Sequence, residues 1–274
     1  MKKRTLLYSL LFLFLFLGCS KDGIDASDPS VLIDKAANLK GIGASAHDIL
    51  SNEKYDRLRF EIAHVAGFRP SAEALAGFED FLRARTFKQE IEFIFNPLSS
   101  PKEETLTLKE VDALEKANRS IYTQGKTLGF YIYFADAPAD SDNEGENLVT
   151  LGAVYRNTSM IIYGSSIRKL ARGSLSIEVS DLENATLNHE FGHLLGLVNL
   201  GSPPANPDHE GTKTENGETV GNNHCNVAGC LMRAELEFGS SVLKAMENNR
   251  SKGMATLPQL DADCLLDLRG NGRR

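Results

Sequence analysis

The sequence lacks an excess of positive charge. Its 274 residues contain 30 Lys and Arg against 37 Asp and Glu, for a formal net charge of −7. Nucleic acids and anionic lipid surfaces are bound through clustered basic residues, so this balance argues against a protein that holds either of them by charge. Hydrophobic residues make up 42% of the chain and prolines number only 9, a composition that predicts a folded globular protein and not a disordered chain.

The chain also lacks an apolar run long enough to span a bilayer. Its N-terminal run, Leu6 to Leu17, is shorter than the roughly 20 residues that a spanning helix needs. A basic segment, Lys2 to Arg4, precedes this run, and a small residue and a cysteine, Gly18 and Cys19, follow it. This order is typical of a secretory signal peptide.

The segment Phe16–Cys19 resembles the lipobox of bacterial lipoproteins. The resemblance implies that residues 1–18 are removed, that Cys19 is lipidated, and that residues 19–50 form a lipid-anchored tether. The protein would then lie in the bacterial cell envelope, at the outer membrane, touching the membrane through its lipid alone. Lys21-Asp22, just after the cysteine, resembles the surface-export signals of some lipoproteins, and the membrane face that displays the domain is left open. The alternative is an ordinary secretory signal in which the cysteine is incidental.

The residues after the tether predict an alternating order of strands and helices. Apolar residues alternate with polar ones in the first two strands, and helical spacing and N-terminal caps such as Ser71 mark the helices. This order predicts an α+β domain with a mixed sheet. In chain order, the sequence predicts a strand at 58–62, a helix from 71 to 82, a strand at 91–95, a helix at 108–121, and strands at 128–134, 148–155 and 159–163.

An acidic loop, Asp140–Glu146, joins two of the predicted strands. It is interpreted either as a calcium loop or as a solvated connection. The loop lacks the bidentate Glu at the twelfth position of an EF-hand loop, so calcium is only weakly supported.

A capped helix follows the predicted strands. Ser180–Glu183 matches a capping box, and the helix is predicted to run to Leu195 and to end at Gly196. It carries the H-E-x-x-H motif His189–His193. The i, i+4 spacing places two imidazoles on one helical face, where they can share one zinc ion, and Glu190 beside them can act as general base toward a zinc-activated water.

The extended motif, from His189 to Gly196, resembles that of the metzincin metallopeptidases, whose third zinc ligand follows the glycine. Here that position holds Asn199, a poor zinc ligand. His224 is favoured as the third ligand because it begins a segment, His224–Met232, that resembles the H-C-x4-C-x-M pattern of archaemetzincins and the spacing in matrixins. His209 is the alternative. Together with Gly196–Pro203, these motifs also resemble a group of bacterial lipoprotein metalloproteases.

The resemblance implies a metzincin-like domain over residues 51–272, with an upper subdomain to about residue 196 and a small, mostly irregular or helical lower one over 197–272. It implies a monomeric zinc endopeptidase of protein or peptide substrates, with Met232 forming the floor of the zinc site. The substrate would lie along an edge strand within 148–155. Tyr155 or the inserted segment, 200–223, is hypothesised to shape the cleft.

The chain contains few cysteines: after Cys19, only Cys225, Cys230 and Cys264 remain. Three is an odd number, so at most one disulfide forms unless the thiols bind metal. The archaemetzincin resemblance would make them structural zinc ligands, but that family has a later C-x-x-C, of which only Cys264 is present. A Cys225–Cys230 disulfide is therefore predicted. The rival functional interpretation is a non-catalytic, zinc-containing binding lipoprotein with the same fold.

Overall fold

A five-stranded mixed sheet organises the protein in this computed structural model, which describes residues 34–143, 149–234 and 239–272. The spatial order is β2-β1-β3-β5-β4, and four strands are parallel while β4, at one edge, is antiparallel to β5. The strands are β1 (Arg57–Val65), β2 (Glu90–Leu98), β3 (Thr127–Phe134), β4 (Gly152–Arg156) and β5 (Ser159–Ile162). A separate antiparallel hairpin contains β6 (Glu210–Glu215) and β7 (Glu218–Cys225).

Seven α-helices are described: five precede the hairpin in the chain and two follow it. They are α1 (Ala46–Leu50), α2 (Ala72–Arg83), α3 (Leu108–Asn118), α4 (Gly164–Ala171), α5 (Val179–Leu194), α6 (Gly239–Ser251) and α7 (Ala262–Gly270). The α+β class and the mixed sheet predicted from the sequence are confirmed. Among the described residues, no helix combines the length and the apolar character needed to cross a bilayer.

Helix α5 is fixed to the sheet by aromatic packing. The Phe191 ring lies 5.3 Å from that of Phe78 in α2 and 5.8 Å from that of Phe60 in β1, measured between centroids. Residues two apart on a helix point about 200° apart, so burying Phe191 against the sheet turns His189 and His193 away from it. The packing of the apolar side of α5 against the sheet therefore determines the direction in which His189 and His193 point.

The start of α5 differs from the capping box predicted at Ser180–Glu183. The helix begins at Val179, and its capping box pairs Glu178 with Asp181. The Glu183 side chain is buried and instead accepts hydrogen bonds from the backbone and hydroxyl of Ser71, at 2.9 and 3.0 Å. Ser71 itself caps α2 as predicted. The Glu183 carboxylate, which the local sequence predicts to cap α5, is therefore hydrogen-bonded to the N-cap residue of α2 instead.

Residues 34–50 belong to the folded body, although the sequence placed them in a tether. Ile49 and Leu50 of α1 are fully buried. The Asn38 amide is also buried and donates to the Gly129 carbonyl at 2.8 Å and to the Thr158 hydroxyl at 2.9 Å. The predicted leader and Cys19 lie outside the described residues.

The inserted segment contains regular structure that the sequence did not predict. Most of the insertion forms the β6–β7 hairpin. Helices α6 and α7 follow it, consistent with the predicted helical character of the lower region. The predicted strand at 148–155 is shorter in the structure, where β4 begins at Gly152; residues 144–148 lie outside the described part.

Candidate metal centre

Three histidines from two distant parts of the chain converge on one point. His189 and His193 lie on α5, and His224 lies near the end of β7. Their ring centroids are 4.9 to 5.4 Å apart, and one nitrogen of each ring lies within 4.8 Å of the others. This spacing suits three imidazoles directed at a single ion, since zinc–nitrogen bonds are about 2.0–2.1 Å long.

Backbone carbonyls set the tautomers of two of these rings. His189 Nδ1 lies 2.7 Å from the Leu231 carbonyl, and His224 Nδ1 lies 2.7 Å from the Asn222 carbonyl. A carbonyl only accepts, so each Nδ1 donates its proton and each Nε2 keeps its lone pair. His189 Nε2 is a buried atom with no hydrogen-bond partner among the described residues. Such an orphaned lone pair fits a metal ligand.

Burial keeps the histidines of α5 neutral. Loss of solvation lowers the pKa of His189 to about 3, with a further lowering by the neighbouring His224. Loss of solvation likewise lowers the pKa of His193 well below its ordinary value. Metal ions bind the neutral form of imidazole, so the pair is ready to accept a cation at neutral pH.

Glu190 lies beside the triad under the edge strand. Its side chain is buried, and it faces the backbone of Gly152 in β4. A Cβ atom at position 152 would lie 2.7 Å from Glu190 Cγ and 2.9 Å from its Oε1. Only glycine leaves the carboxylate this space, so Gly152 is a functional residue that the sequence reading missed and that no local signal in the sequence indicates.

Met232 packs against the helix between the two histidines. It is fully buried, and a Cβ atom at Gly192 would lie 2.3 Å from its sulfur. The Met232 carbonyl accepts a hydrogen bond of 2.7 Å from the Cys225 backbone N–H. The methionine is therefore part of the apolar support of α5, and the same turn is bonded to the strand that carries His224.

The hairpin is held at its base by Glu210. One carboxylate oxygen accepts from the Asn199 side chain at 2.9 Å, and the other accepts from the Asn223 backbone N–H at 2.7 Å. Asn223 has a positive φ of 58°, a conformation that Asn tolerates better than most residues, directly before His224. Asn199 thus supports the segment that delivers the histidine. The dipeptide Asn216-Gly217 at the tip is the sequence signal that identifies the hairpin.

His209, the alternative third ligand, lies away from the triad. It is fully buried, with its Nε2 3.2 Å from Cys225 Sγ and 3.5 Å from Cys264 Sγ. The predicted Cys225–Cys230 disulfide is also not formed, because all three cysteines of the described residues are free thiols. The structure groups His209 with the cysteines and His224 with the motif histidines.

The structure revises the expectation for Tyr155 and leaves the calcium interpretation of the acidic loop untested. Tyr155 does not line the face of β4 that Gly152 presents to Glu190: it packs in the cluster on the other side of the sheet, and its hydroxyl contacts Glu115. In the predicted calcium loop, Asp142 accepts a hydrogen bond of 2.7 Å from the Thr150 backbone, and residues 144–146 of the loop lie outside the described part.

No protein-family model and no curated protein sequence matches this chain. The archaemetzincin of Methanopyrus kandleri is a similar solved structure, with 14% identity, a TM-score of 0.45, and coverage of 79% of this chain and 96% of that one. Metalloproteinase-II of Bacteroides fragilis has 14% identity and a TM-score of 0.42, over 81% of this chain. The match spans 55% of the Bacteroides protein.

Proposed function

We propose that the protein is a zinc-dependent endopeptidase whose metal is held by His189, His193 and His224. The observation that carries this proposal is the convergence of three buried imidazoles, beside a buried carboxylate that metal holding alone does not require. Three neutral nitrogen ligands that leave a position open are the donor set of catalytic zinc sites. Met232, which packs against Gly192 between the two histidines, is proposed to form the floor of the site.

Zinc bound there supplies a Lewis acid that polarises the attacking water and the scissile carbonyl. Glu190 takes the proton from the attacking water and then delivers it to the amine that leaves. Its burial under β4 holds the carboxylate in one position and excludes bulk water from it. The absence of a side chain at Gly152 gives the carboxylate room for both proton transfers.

The outer edge of β4 is the proposed site of the substrate backbone. In the described sheet, β4 is an edge strand and lies against α5, which carries the histidine pair. An extended peptide can add to such an edge through main-chain hydrogen bonds, which requires no free terminus. A protein or peptide cleaved at an internal bond is therefore the proposed substrate.

The activity is tested with Glu190→Gln, using Glu218→Gln on the exposed hairpin as the matched control. Glu190→Gln is expected to bind zinc like the wild type and to cleave quenched fluorescent peptides about 10²- to 10⁴-fold more slowly, the range that general acid–base catalysis contributes. Glu218→Gln should behave like the wild type. Zinc binding without cleavage of any peptide or unfolded protein by the wild type would refute the endopeptidase and favour the non-catalytic binding lipoprotein.

We propose further that lipid on Cys19 anchors the protein in the bacterial cell envelope. This rests on the signal-like residues 1–19. Growth with an alkyne-tagged fatty acid should label the wild type and leave Cys19→Ala unlabelled and released from membranes. Equal labelling of the two proteins, or none, would contradict the anchor without bearing on the peptidase.

A further inference from the structure

A distant segment of the chain holds the turn between β4 and β5. Residues 36–47, here called the N-terminal strap, pass beside this turn, in which the Asn157 side chain is fully buried. The Asn157 amide group donates hydrogen bonds to the Ala37 carbonyl at 2.8 Å and to the Ser45 hydroxyl at 2.7 Å. Its oxygen accepts one from the Lys40 backbone N–H at 3.1 Å. One side chain of the turn is therefore bound to several points of the strap.

The strap binds the same turn through a buried side chain of its own. The Asn38 amide group donates to the Thr158 hydroxyl, beside Asn157, at 2.9 Å and to the Gly129 carbonyl in β3 at 2.8 Å. The Asn38 oxygen accepts a hydrogen bond from the Thr123 backbone N–H at 2.9 Å. A side-chain amide supplies both donors and an acceptor, and a buried amide that lost these partners would be strongly destabilising. The two asparagines therefore fix the strap and the turn to each other.

The other end of the strap lies against the chain that leaves α5. Gly43, with a positive φ of 73°, packs on the backbone of Leu200 and Gly201. A Cβ atom at Gly43 would overlap the Leu200 carbonyl, and one at Gly201 would lie 2.5 Å from the Gly43 carbonyl carbon. Two glycines therefore let the two backbones touch. His47 Nδ1 lies 3.1 Å from the Asn271 carbonyl, so the strap also contacts the end of α7.

The end of β4 next to this turn has limited support from the sheet. In the described sheet β4 pairs with β5 alone, and the pairing shifts between Val154 and Arg156, directly before the turn. Such an irregularity leaves a residue unpaired and disrupts the ladder locally. The Arg156 side chain forms an ion pair with Asp112 of α3, which holds the side chain and not the backbone of the turn. The backbone at this end of β4 therefore depends on the contacts that hold the turn.

We propose that the N-terminal strap positions β4 for the substrate, because it fixes the β4–β5 turn relative to the chain that leaves the zinc-binding helix. This inference rests on the proposed function, in which the substrate backbone adds to β4. A strand that is already fixed spends no binding free energy on its own ordering, so an extended peptide binds it more tightly. The strap contacts named above involve neither the three histidines nor Glu190. Its residues are therefore positioning residues and not catalytic ones.

The strap should affect extended peptides and not short ones. A peptide of about ten residues can pair with β4 along its length, whereas a peptide of about four residues gains little from the strand. Asn157→Ala removes the side-chain bonds between the turn and the strap. The net contribution of one hydrogen bond corresponds to about 2- to 10-fold in an equilibrium constant, so this variant should raise KM for the extended peptide about 10-fold. KM for the short peptide, kcat and zinc content should stay at the wild-type level.

Gly43→Ala tests the other end of the strap, and Gly41→Ala, two positions away, is its matched control. A methyl at Gly43 would overlap the Leu200 carbonyl and shift the strap, whereas one at Gly41 meets nothing within 4 Å. Gly43→Ala should therefore show the same selective rise in KM, and Gly41→Ala should behave like the wild type. Ser45→Ala removes only one acceptor of the Asn157 amide and serves as a milder variant if the others do not fold. It should raise KM for the extended peptide about 2-fold.

Hydrogen exchange of the zinc-loaded, full-length protein, followed by NMR, gives a readout that needs no catalysis. The β4 amides bonded to β5 should exchange about tenfold faster in Asn157→Ala and Gly43→Ala than in the wild type, while those of α5 should be unchanged. Equal rises in KM for the two peptides, or β4 exchange at the wild-type rate, would overturn the role of the strap. A wild type that cleaves no peptide would refute the peptidase, and β4 exchange alone would then decide whether the strap holds this strand.

Discussion

Replacing Gly152 by alanine is expected to impair turnover while leaving zinc in place. The added methyl would lie 2.7 Å from Glu190 Cγ, 2.8 Å from Thr186 Cγ2 and 2.9 Å from Glu190 Oε1. The first of these falls about 0.7 Å short of the 3.4 Å at which ordinary contact begins, so a side chain or the strand must move. Both side chains come from α5, but Thr186 is β-branched and its hydroxyl is held by a 2.8 Å hydrogen bond to the Leu182 carbonyl. The longer Glu190 side chain has more freedom to rotate, so its carboxylate is the group expected to be displaced.

The expected loss follows from that displacement. A misplacement near 1 Å can cost about 10²-fold in rate, so kcat/KM should fall about 10- to 100-fold, mainly through kcat. Crowding of this kind also costs about 1–3 kcal/mol of stability, which should lower Tm by several degrees. The three histidines do not meet the new methyl among its nearest neighbours, so zinc content should stay at the wild-type level.

The assay compares zinc content, Tm, kcat and KM of Gly152→Ala with those of Gly41→Ala. A methyl at Gly41 meets nothing within 4 Å, and its φ is not positive, so the control should match the wild type. Unchanged kcat/KM in Gly152→Ala would refute the role assigned to this clearance. Loss of zinc in proportion to activity would refute it too, because the defect would then lie in metal binding.

Three further predictions concern the supports of the site and of the fold. Asn199→Ala removes the 2.9 Å bond to Glu210, worth about 0.5–1.5 kcal/mol, and should raise the zinc Kd about 2- to 10-fold in a chelator competition; an unchanged Kd would show that the bond does not position His224. Burial lowers the pKa of His189 from 6.5 to about 3, so between these pH values the unfolded chain binds more protons than the folded protein. The contribution of this histidine to stability is therefore complete above pH 6.5 and is lost as the pH falls toward 3. Urea unfolding of metal-free protein at pH 7 and pH 5 should show this decline, and His189→Gln should show less of it. The buried ammonium of Lys88 donates hydrogen bonds to the carbonyls of Asp48, Ser51 and Tyr55. Lys88→Met removes these bonds and should lower the free energy of unfolding by about 1–3 kcal/mol in urea denaturation. Lys54→Met, at an exposed position, is the control.

Local spacing made the helix of the site predictable from the sequence. The i, i+4 spacing alone places His189 and His193 on one face, and Ser71 is a recognisable N-cap of α2. Alternating apolar residues likewise predicted β1 and β2, and apolar segments predicted the positions of the other three strands of the sheet, with β4 starting later than expected. These signals depend on neighbours within one turn or one strand, which a sequence displays directly.

Long-range contacts decided what could not be predicted. Nothing near Gly152 in the sequence shows that Glu190 will pack against it, and nothing near His209 shows that it will lie beside Cys264 from α7. The local sequence around Glu183 matches a capping box, but its carboxylate accepts a hydrogen bond from Ser71 at the start of another helix. In each case the partner is more than 30 positions away, so only the fold reveals the contact.

The hairpin that carries His224 has a free end where the chain can tolerate change. Its base is fixed by the Glu210–Cys225 pair, while the ladder ends at Glu215 opposite Glu218, and the turn between them is exposed. Antiparallel ladders lengthen by pairs of residues without moving their base. Homologous proteins can therefore differ in the length of this hairpin at little cost, and a fluorophore or epitope attached at Asn216 should leave the ligands undisturbed.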